Sequence, residues 1–470
     1  MKPVLTTQQK ALKINLNPAI YGTFAEIGAG QDVAGNFFKA GAASGTVAKS
    51  ISAYDMVVSD TIYGKEESKR YVCKSRLEKM LKYEHELLIE RLSSTTPERS
   101  YFAFANTVAA RNYHGTNEAH GWLGLRFGSS KQECSEVIIH VRMGDNTAQL
   151  QQQAIGVLGV NLSYAAFYHE NNLEEFVSML MHNLSRERIE IDMISTKGSA
   201  FKEYDNRLLN LELVKTELTD AIMFDCDGQI TLASDELYKK EILVARGSYR
   251  PPTKVNLDIL KTGVENFKKD TGAKEVVPFC EITIHNLRSG GELAKEDFLA
   301  RVDLLTSINY RVLITNFPQY FKLTNYLSRF KAKHLAIVLG AYNFKQIFDD
   351  DYNQVPGGKL EALGRLFMEN VQVYLYPYRE ELSADELISL KNMPVPENAR
   401  HLVEHIKALG QVKDLEGYDD SILHIYSRKV LKMIVNDEDG WEDFVPAPIA
   451  KTINDKCLFG HPCFYGTKDD

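Results

Sequence analysis

Val276–Gly291, VVPFCEITIHNLRSGG, reads as a strand that runs into a glycine turn, and the two faces of that strand disagree. Cys280, Ile282 and Ile284 are apolar, while Glu281, Thr283 and His285 alternate with them. Successive side chains of a strand point to opposite sides, so this reading puts Glu281 and His285 on one face. An antiparallel strand would turn such a face to water. A strand of an α/β barrel would turn it to the lumen.

The same disagreement recurs upstream. His140 and Arg142 alternate with Ile139, Val141 and Met143, and Glu190 and Asp192 alternate with Ile189, Ile191 and Met193. Asp225 lies between Phe224 and Cys226. From Glu136 to Tyr378, strand-like runs (136–143, 154–162, 188–195, 220–226, 241–247, 279–286, 311–317, 334–340 and 371–378) alternate with helix-like ones. Such alternation means parallel strands joined by helices. A doubly wound open sheet is covered on both faces and asks for strands that are apolar throughout. A (β/α)8 barrel has an apolar outer face and a separate lumen. The one-sided polar rows therefore favour a (β/α)8-barrel-like core over residues 135–380, with a doubly wound open sheet as the alternative. Nine strands compete for eight places. Either the first pairs with strands expected at 101–108 and 122–127, or the ninth lies outside.

Residues 1–134 read as an α+β region containing one long amphipathic helix at 69–92, where Met80, Leu81, Leu87, Leu88 and Leu92 approximate helical spacing. Residues 381–470 read as a helical appendage, with helices expected at 382–390, 399–409 and 426–434.

The chain has 470 residues, 44% hydrophobic and 25% charged, which is globular and long enough for two or three domains. A net charge of −8 and a pI near 5.9 argue against nucleic acid or an anionic membrane as partner. Six cysteines scattered at 73, 134, 226, 280, 457 and 463 form no disulfide framework and fit a reducing compartment. The first residues lack the apolar core of a signal peptide, and no stretch approaches the roughly 18 apolar residues of a membrane helix. The expected location is the cytoplasm.

Residues at the C-terminal ends of barrel strands converge on one site. General acid–base chemistry would fall to Glu281, His285, His140 and Asp192, because burial and neighbouring charge bring carboxylate and imidazole pKa values toward neutrality. Arg142, Arg246, Arg288 and Asp225 would bind the ligand, the guanidinium being a planar fork of donors suited to carboxylate or phosphate. Arg246-Gly-Ser-Tyr-Arg-Pro-Pro and Arg288-Ser-Gly-Gly add glycine and serine, the makings of an anion cradle or of a tight turn. A salt-bridge layer filling the lumen is the non-catalytic explanation of the same residues.

Other motifs are weaker. Gly28-Ala-Gly30 has Val33 at the sixth position of the dinucleotide fingerprint, so close packing explains it better. Gly41–Ser50 lacks the lysine of a P-loop. Asp225-Cys-Asp227-Gly resembles the aspartate pair of haloacid-dehalogenase-like phosphatases over a few residues, with Gln229 where that motif has threonine or valine. Cys457, His461 and Cys463 are too few for zinc, and no metal site is assigned. The acidic run from Asp349 reads as a solvated loop.

As a whole the chain resembles a family of uncharacterised bacterial proteins of similar length. The likeness is carried by NPAIYGTFAEIGAGQDVA, SAYDMVVSDTIYG, IIHVRMGDN, LYKKEILVARGSYRPPT, FLARVDLL and LGRLFMENVQVYLYPY. It implies a shared fold and no particular activity. Two labels used within that family do not fit these residues. A TonB-dependent receptor is an exported β-barrel, against the helical periodicity here. A nicotinate-nucleotide adenylyltransferase carries a His/Thr-x-Gly-His motif near its start, and none is present; Ser93–Arg99 only faintly matches its Ser-Thr-x-x-Arg signature.

These features point to a cytoplasmic enzyme acting on a small anionic metabolite, phosphorylated or nucleotide-like, with no cofactor identified and a homo-oligomer expected. A self-assembling scaffold and a ligand-binding sensor are the alternatives.

Overall fold

The computed structural model describes residues 4–94, 99–131, 133–289, 292–348, 355–379 and 387–462. Much of Ser93–Arg99, the acidic run at 349–352, residues 382–386 of the helix expected at 382–390, and Cys463 lie outside them. The chain divides into two compact units, Met1–Thr219 and Asp220–Asp470.

The first unit runs α1 (Thr7–Asn15), β1 (Ile20–Gly28), α2 (Val33–Ala40), β2 (Val47–Ala53), α3 (Met56–Tyr63), α4 (Lys74–Leu92), β3 (Ser100–Ala109), β4 (His120–Gly128), β5 (Cys134–Met143), α5 (Ala148–Tyr168), α6 (Leu173–Leu180), β6 (Ile189–Lys197) and α7 (Asn206–Lys215). Its sheet has the order β2-β1-β3-β4-β5-β6. The first three strands are parallel and the rest antiparallel. Phe24, Phe102, Phe104, Val137, Ile139 and Val141 point into a core shared with α1, α2, α5 and α6. The amphipathic α4 packs on β1, β3 and β4.

The run at 154–162, expected as a strand, is the middle of α5. It is buried on nearly every side, so no polar stripe betrays the helical period. The Thr147 side chain caps the helix by accepting from Leu150 N.

The second unit runs β7 (Ala221–Phe224), β8 (Ile230–Thr231), α8 (Ala233–Leu237), β9 (Glu241–Arg246), α9 (Lys254–Thr271), β10 (Val277–Thr283), α10 (Ile284–Leu287), β11 (Arg288–Ser289), β12 (Glu292–Leu293), α11 (Lys295–Ser307), β13 (Arg311–Thr315), α12 (Tyr320–Arg329), β14 (His334–Gly340), α13 (Ala341–Gln346), α14 (Gly358–Leu366), β15 (Val371–Tyr376), α15 (Arg400–Ala408), β16 (Val412–Asp414), α16 (Ser427–Val435) and α17 (Ala447–Lys456). Its main sheet has the order β16-β15-β14-β9-β10-β13-β7-β8. The six strands from β16 to β13 are parallel, and β7 and β8 add an antiparallel edge.

After the β7–β8 edge, the chain enters the parallel part of this sheet at β9, moves outward through β10 and β13, and returns to the other side of β9 as β14 before moving out through β15 and β16. That path is doubly wound, with its switch point between β9 and β14. One face buries Ile242, Val244, Ile337 and Val373 under α12, α14 and α15. On the other, α9 lies over Leu243 and Val338 at Gly263, and Phe298 of α11 meets Phe224. Helices α16 and α17 enclose a smaller cluster around Trp441 with Leu304.

The barrel expected from the polar rows is therefore corrected. Both sheets are open, and the rows that suggested one lumen belong to different sheets: those of β5 and β6 to the first, those of β7 and β10 to the second. The units also divide at Thr219–Asp220 rather than at 134/135 and 380/381. Strands β5 and β6 complete the sheet of the preceding residues, and β16 extends the second sheet past residue 381. Among the described residues no helix is long and apolar enough to cross a membrane. Cys73, Cys134, Cys226 and Cys280 are free thiols, and Cys457 is disulfide-bonded.

Candidate functional site

In the second unit, Arg246 ends β9 and is the direct cross-strand neighbour of Glu281 on β10. Its guanidinium grips the fully buried carboxylate with both prongs, Nε to Oε2 at 2.8 Å and Nη2 to Oε1 at 2.9 Å. Thr315 Oγ1 on β13 donates to Oε1 at 2.7 Å. Arg246 Nη1 also donates to the Pro318 carbonyl at 2.8 Å, and the guanidinium lies 4.3 Å from the Tyr320 ring centre. Burial pushes the Tyr320 phenol up to about 12. A bidentate pair of this kind is strong and geometrically exacting, and it explains how a doubly wound sheet tolerates charge in its middle: the two residues neutralise each other across one ladder.

Arg246 lines a cleft of about 1040 Å³ with Asn256, Asn343, Tyr376, Tyr378 and Lys429. Three of its walls are strand ends: Arg246 closes β9, Gly340 closes β14 and Tyr376 closes β15. The first turn of α9 supplies Val255 and Asn256, where a capping box joins Thr253 and Asn256. Tyr376 donates its hydroxyl to Asp258 Oδ2 at 2.7 Å, and burial together with that carboxylate holds the phenol protonated. Lys429 Nζ is exposed, stands 5.2 Å from the Tyr426 ring centre and has no carboxylate partner among the described residues.

The other expected residues of this unit lie elsewhere on it. Strand β10 ends at Thr283, whose Oγ1 accepts from Asn286 N at 3.2 Å and starts the short α10. His285 therefore sits on that helix, exposed, and shares no strand face with Glu281. Asp225 Oδ1 accepts from Asp227 N and Gln229 N at 2.9 and 2.8 Å, so it shapes the turn from β7 to β8. Arg288 is exposed on β11. In the loop after Arg246, Arg250 pairs with Asp297 at 2.8 Å, and Arg301 donates to the Ser248 and Asn286 carbonyls. The Arg-Gly-Ser turn is thus tied to its own neighbours.

In the first unit, His140 Nδ1 lies 2.5 Å from Asp192 Oδ1, and His140 Nε2 lies 3.1 Å from His120 Nδ1. Trp122 packs against the His140 ring at 4.8 Å. Arg142 Nη2 pairs with Glu118 at 2.9 Å. His120 was not among the expected residues, because a strand read from Trp122 onward starts two residues late; β4 begins at His120. The Gly-rich turn after β1 is a packing device, as expected. Asn106 Nδ2 donates to the Gly30 carbonyl at 2.9 Å, and a Cβ on Gly30 would stand 2.1 Å from Asn106 Oδ1.

The eight expected site residues are thus divided: His140, Arg142 and Asp192 on the first sheet, and Asp225, Arg246, Glu281, His285 and Arg288 on the second unit. Among the described residues no cluster of three or more His, Cys, Asp or Glu could hold a metal ion.

No protein-family model matches the chain, and no curated protein matches it. Among solved structures, the competence/damage inducible protein CihA from Agrobacterium tumefaciens is 15% identical over 36% of this chain and 98% of its own, with a TM-score of 0.26. The competence-damaged protein (CinA) superfamily protein from Enterobacter cloacae is 11% identical over 36% and 93%, also at 0.26. The corresponding Klebsiella pneumoniae protein is 13% identical over 35% and 98%, again at 0.26. Similarity at this level carries no functional inference.

Proposed function

We propose that the protein binds a small anionic metabolite, phosphorylated or nucleotide-like, in the switch-point cleft of the second unit. The observation that carries this reading is the position of the cleft, outside the carboxyl ends of β9, β14 and β15 on both sides of the switch. Open α/β sheets take ligands there, because the loops diverge and leave a crevice. The lining suits the chemistry. Tyr376 and Tyr378 offer flat surfaces for a planar ring, Asn256 and Asn343 offer amides that can read its edge, and Lys429 offers positive charge. Arg246 is committed to Glu281 and contributes shape and a fixed dipole more than free charge.

Isothermal titration of the full chain with adenine nucleotides and sugar phosphates tests the reading. One of these should bind, with Lys429→Ala weakening it about tenfold, the scale of one charge-assisted contact. Absence of binding across both classes, or binding indifferent to both Lys429→Ala and Asn343→Ala, would remove the cleft from consideration. Product analysis with the ligand that binds then separates an enzyme from a sensor.

A further inference from the structure

The two asparagines of the switch-point cleft are not equivalent, and their hydrogen bonds say why. Asn256 stands on α9, where its Oδ1 accepts twice from Thr253, from the backbone N at 2.9 Å and from Oγ1 at 3.0 Å. A backbone N–H can only donate, so the atom of the amide that faces it must be the oxygen. A flipped amide would set N–H against N–H, and Thr253 is buried, so water could not relieve the clash. The orientation of Asn256 is therefore fixed. Its Nδ2 makes no hydrogen bond among the described residues, while the residue lines the cleft. Asn256 thus offers a ligand an NH2 group and no acceptor.

Asn343 differs. Its amide donates to the Tyr320 hydroxyl, and its oxygen makes no hydrogen bond among the described residues. An amide that keeps both kinds of atom can read the mixed edge of a base, whereas one that keeps only N–H can read only acceptors. The charge of the cleft matches a donor at Asn256. Among the described residues no Asp or Glu lines it. The carboxylates behind its walls are occupied: Asp258 accepts from the Tyr376 hydroxyl at 2.7 Å and from Asp419 N at 3.1 Å, and Glu281 is held by Arg246. Lys429 adds an exposed ammonium to the same lining.

We propose that Asn256 is the specificity-determining residue of the cleft: its NH2 group and the Lys429 ammonium take the phosphate oxygens of the ligand, and the ring lies toward Asn343 and Tyr376. Thr253 is the positioning residue, because it holds the amide with its donors outward. This inference rests on the ligand class proposed for the cleft and goes further by assigning which end of the ligand meets which wall. It makes the phosphate, and not the ring, the group without which binding fails.

Isothermal titration of the full chain with AMP and ribose 5-phosphate, and with adenosine and ribose as the parents without phosphate, tests it. At least one phosphate should bind, and its parent at least about tenfold more weakly. Asn256→Ala removes the donor and should weaken the phosphate about tenfold. Asn256→Asp keeps the oxygen that Thr253 uses and puts a second carboxylate oxygen where the NH2 stood. It should weaken the phosphate at least about a hundredfold, by lost donor and added repulsion together. A residue that merely caps α9 gives the reverse order, because aspartate accepts from Thr253 as asparagine does and alanine does not. Asn256→Asp binding as tightly as Asn256→Ala would overturn the proposal, and so would a parent that binds as tightly as its phosphate. If neither phosphate binds, the ligand class proposed for the cleft falls together with this inference. If Lys429→Ala weakens binding while Asn256→Asp does not, the assignment of Asn256 alone falls. Should Asn256→Ala not fold, as judged by circular dichroism, Asn256→Gln and Asn256→Glu replace the pair, since both side chains can reach back to Thr253. The Glu variant should then bind the phosphate at least about tenfold more weakly than the Gln variant, and equal affinities would overturn the proposal.

Discussion

Glu281 in the second unit and Glu26 in the first are both carboxylates on interior strands, 0% and 3% exposed, yet they are accommodated differently. Glu281 meets a full counter-ion in Arg246 and a hydroxyl in Thr315. Glu26 meets neutral donors: the N–H of Val33 at 2.9 Å, the N–H of Ala34 and the amide of Asn106 at 3.5 Å. Burial dominates there and pushes the Glu26 carboxyl up to about 7. Lys10 shows the same economy: it is fully buried, and its Nζ donates to Asn161 Oδ1 at 2.7 Å. Pairing is not foreign to the first unit, since Arg76 of α4 meets Asp60 and Glu66. The helix-covered core of the first sheet, however, holds isolated charges where the second sheet holds a neutralised pair. Isolated buried charge makes stability depend on pH. A neutralised pair makes it depend on keeping both partners.

The sharpest way to break this contrast is Glu281→Ala. Removing one member of a buried pair strands the other, which costs about 3–5 kcal/mol. The unfolding transition of the second unit should lose that much in urea denaturation while that of the first is unchanged. A loss under about 1 kcal/mol would mean that Arg246 is not desolvated and that the pair is ornamental. Removing both charges with Arg246→Met and Glu281→Leu should recover most of the loss, because an apolar pair of similar size can replace a buried ion pair.

Glu26 predicts the opposite behaviour, and the sign can be worked out. Its folded pKa of about 7 lies above the 4.5 of the free group, so between these values the folded chain holds a proton that the unfolded chain has lost. The stabilising contribution is complete below pH 4.5 and disappears as pH rises through 7. Glu26→Gln keeps the shape without the charge. It should flatten this slope and raise stability at about pH 8 by about 2–3 kcal/mol, measured by denaturation across the pH series. An unchanged slope would show that Glu26 is stabilised as the anion after all.

Much of the architecture was legible in the sequence. Alternating strands and helices announced an α/β chain, and the spacing in EVIIHVRM, RIEIDMIS and EILVARG located β5, β6 and β9. Strand partnership was not legible. Polar alternation says which face a residue takes and is silent about which sheet the strand joins, so rows from two open sheets passed for one lumen. The Arg246–Glu281 ladder pair joins residues on different strands separated by α9, and no local pattern reveals it. The bulge that turns Asp192 toward His140 is likewise a property of two strands together. At His285, one hydroxyl decided the outcome: Thr283 reads as another strand position, yet it caps a helix. Helix α5 failed for a different reason, since burial on all sides erases amphipathicity.

That last case yields a further test. A Cβ on Gly159 of α5 would stand 2.4 Å from Val33 of α2, so the glycine sets how closely these two helices pack. Alanine in a helix normally stabilises by about 1 kcal/mol over glycine. Here overpacking should win, and Gly159→Ala should cost the first unit about 1–3 kcal/mol in thermal unfolding. A neutral or stabilising effect would mean that the glycine is incidental and that α2 can move aside.

The smallest effect concerns Lys10, and it carries the comparison to the opposite sign of charge. Burial lowers its pKa to about 8 from 10.5, because Asn161 can accept from the amine and cannot neutralise it. Between these values the unfolded chain binds the extra proton, so stability rises with pH across the window, where Glu26 makes it fall in its own. Tyr63, Tyr374 and Tyr376, pushed up by burial and a neighbouring carboxylate, act against this once unfolded phenols begin to ionise near about pH 10. The clean interval is therefore about pH 8 to 9.5, with an expected gain of about 1–2 kcal/mol in the first unit. Lys10→Met should abolish that gain and leave the second unit untouched. If the slope persisted in Lys10→Met, the amine would be charged in the folded core, and the distinction between isolated and paired charge would no longer separate the two sheets.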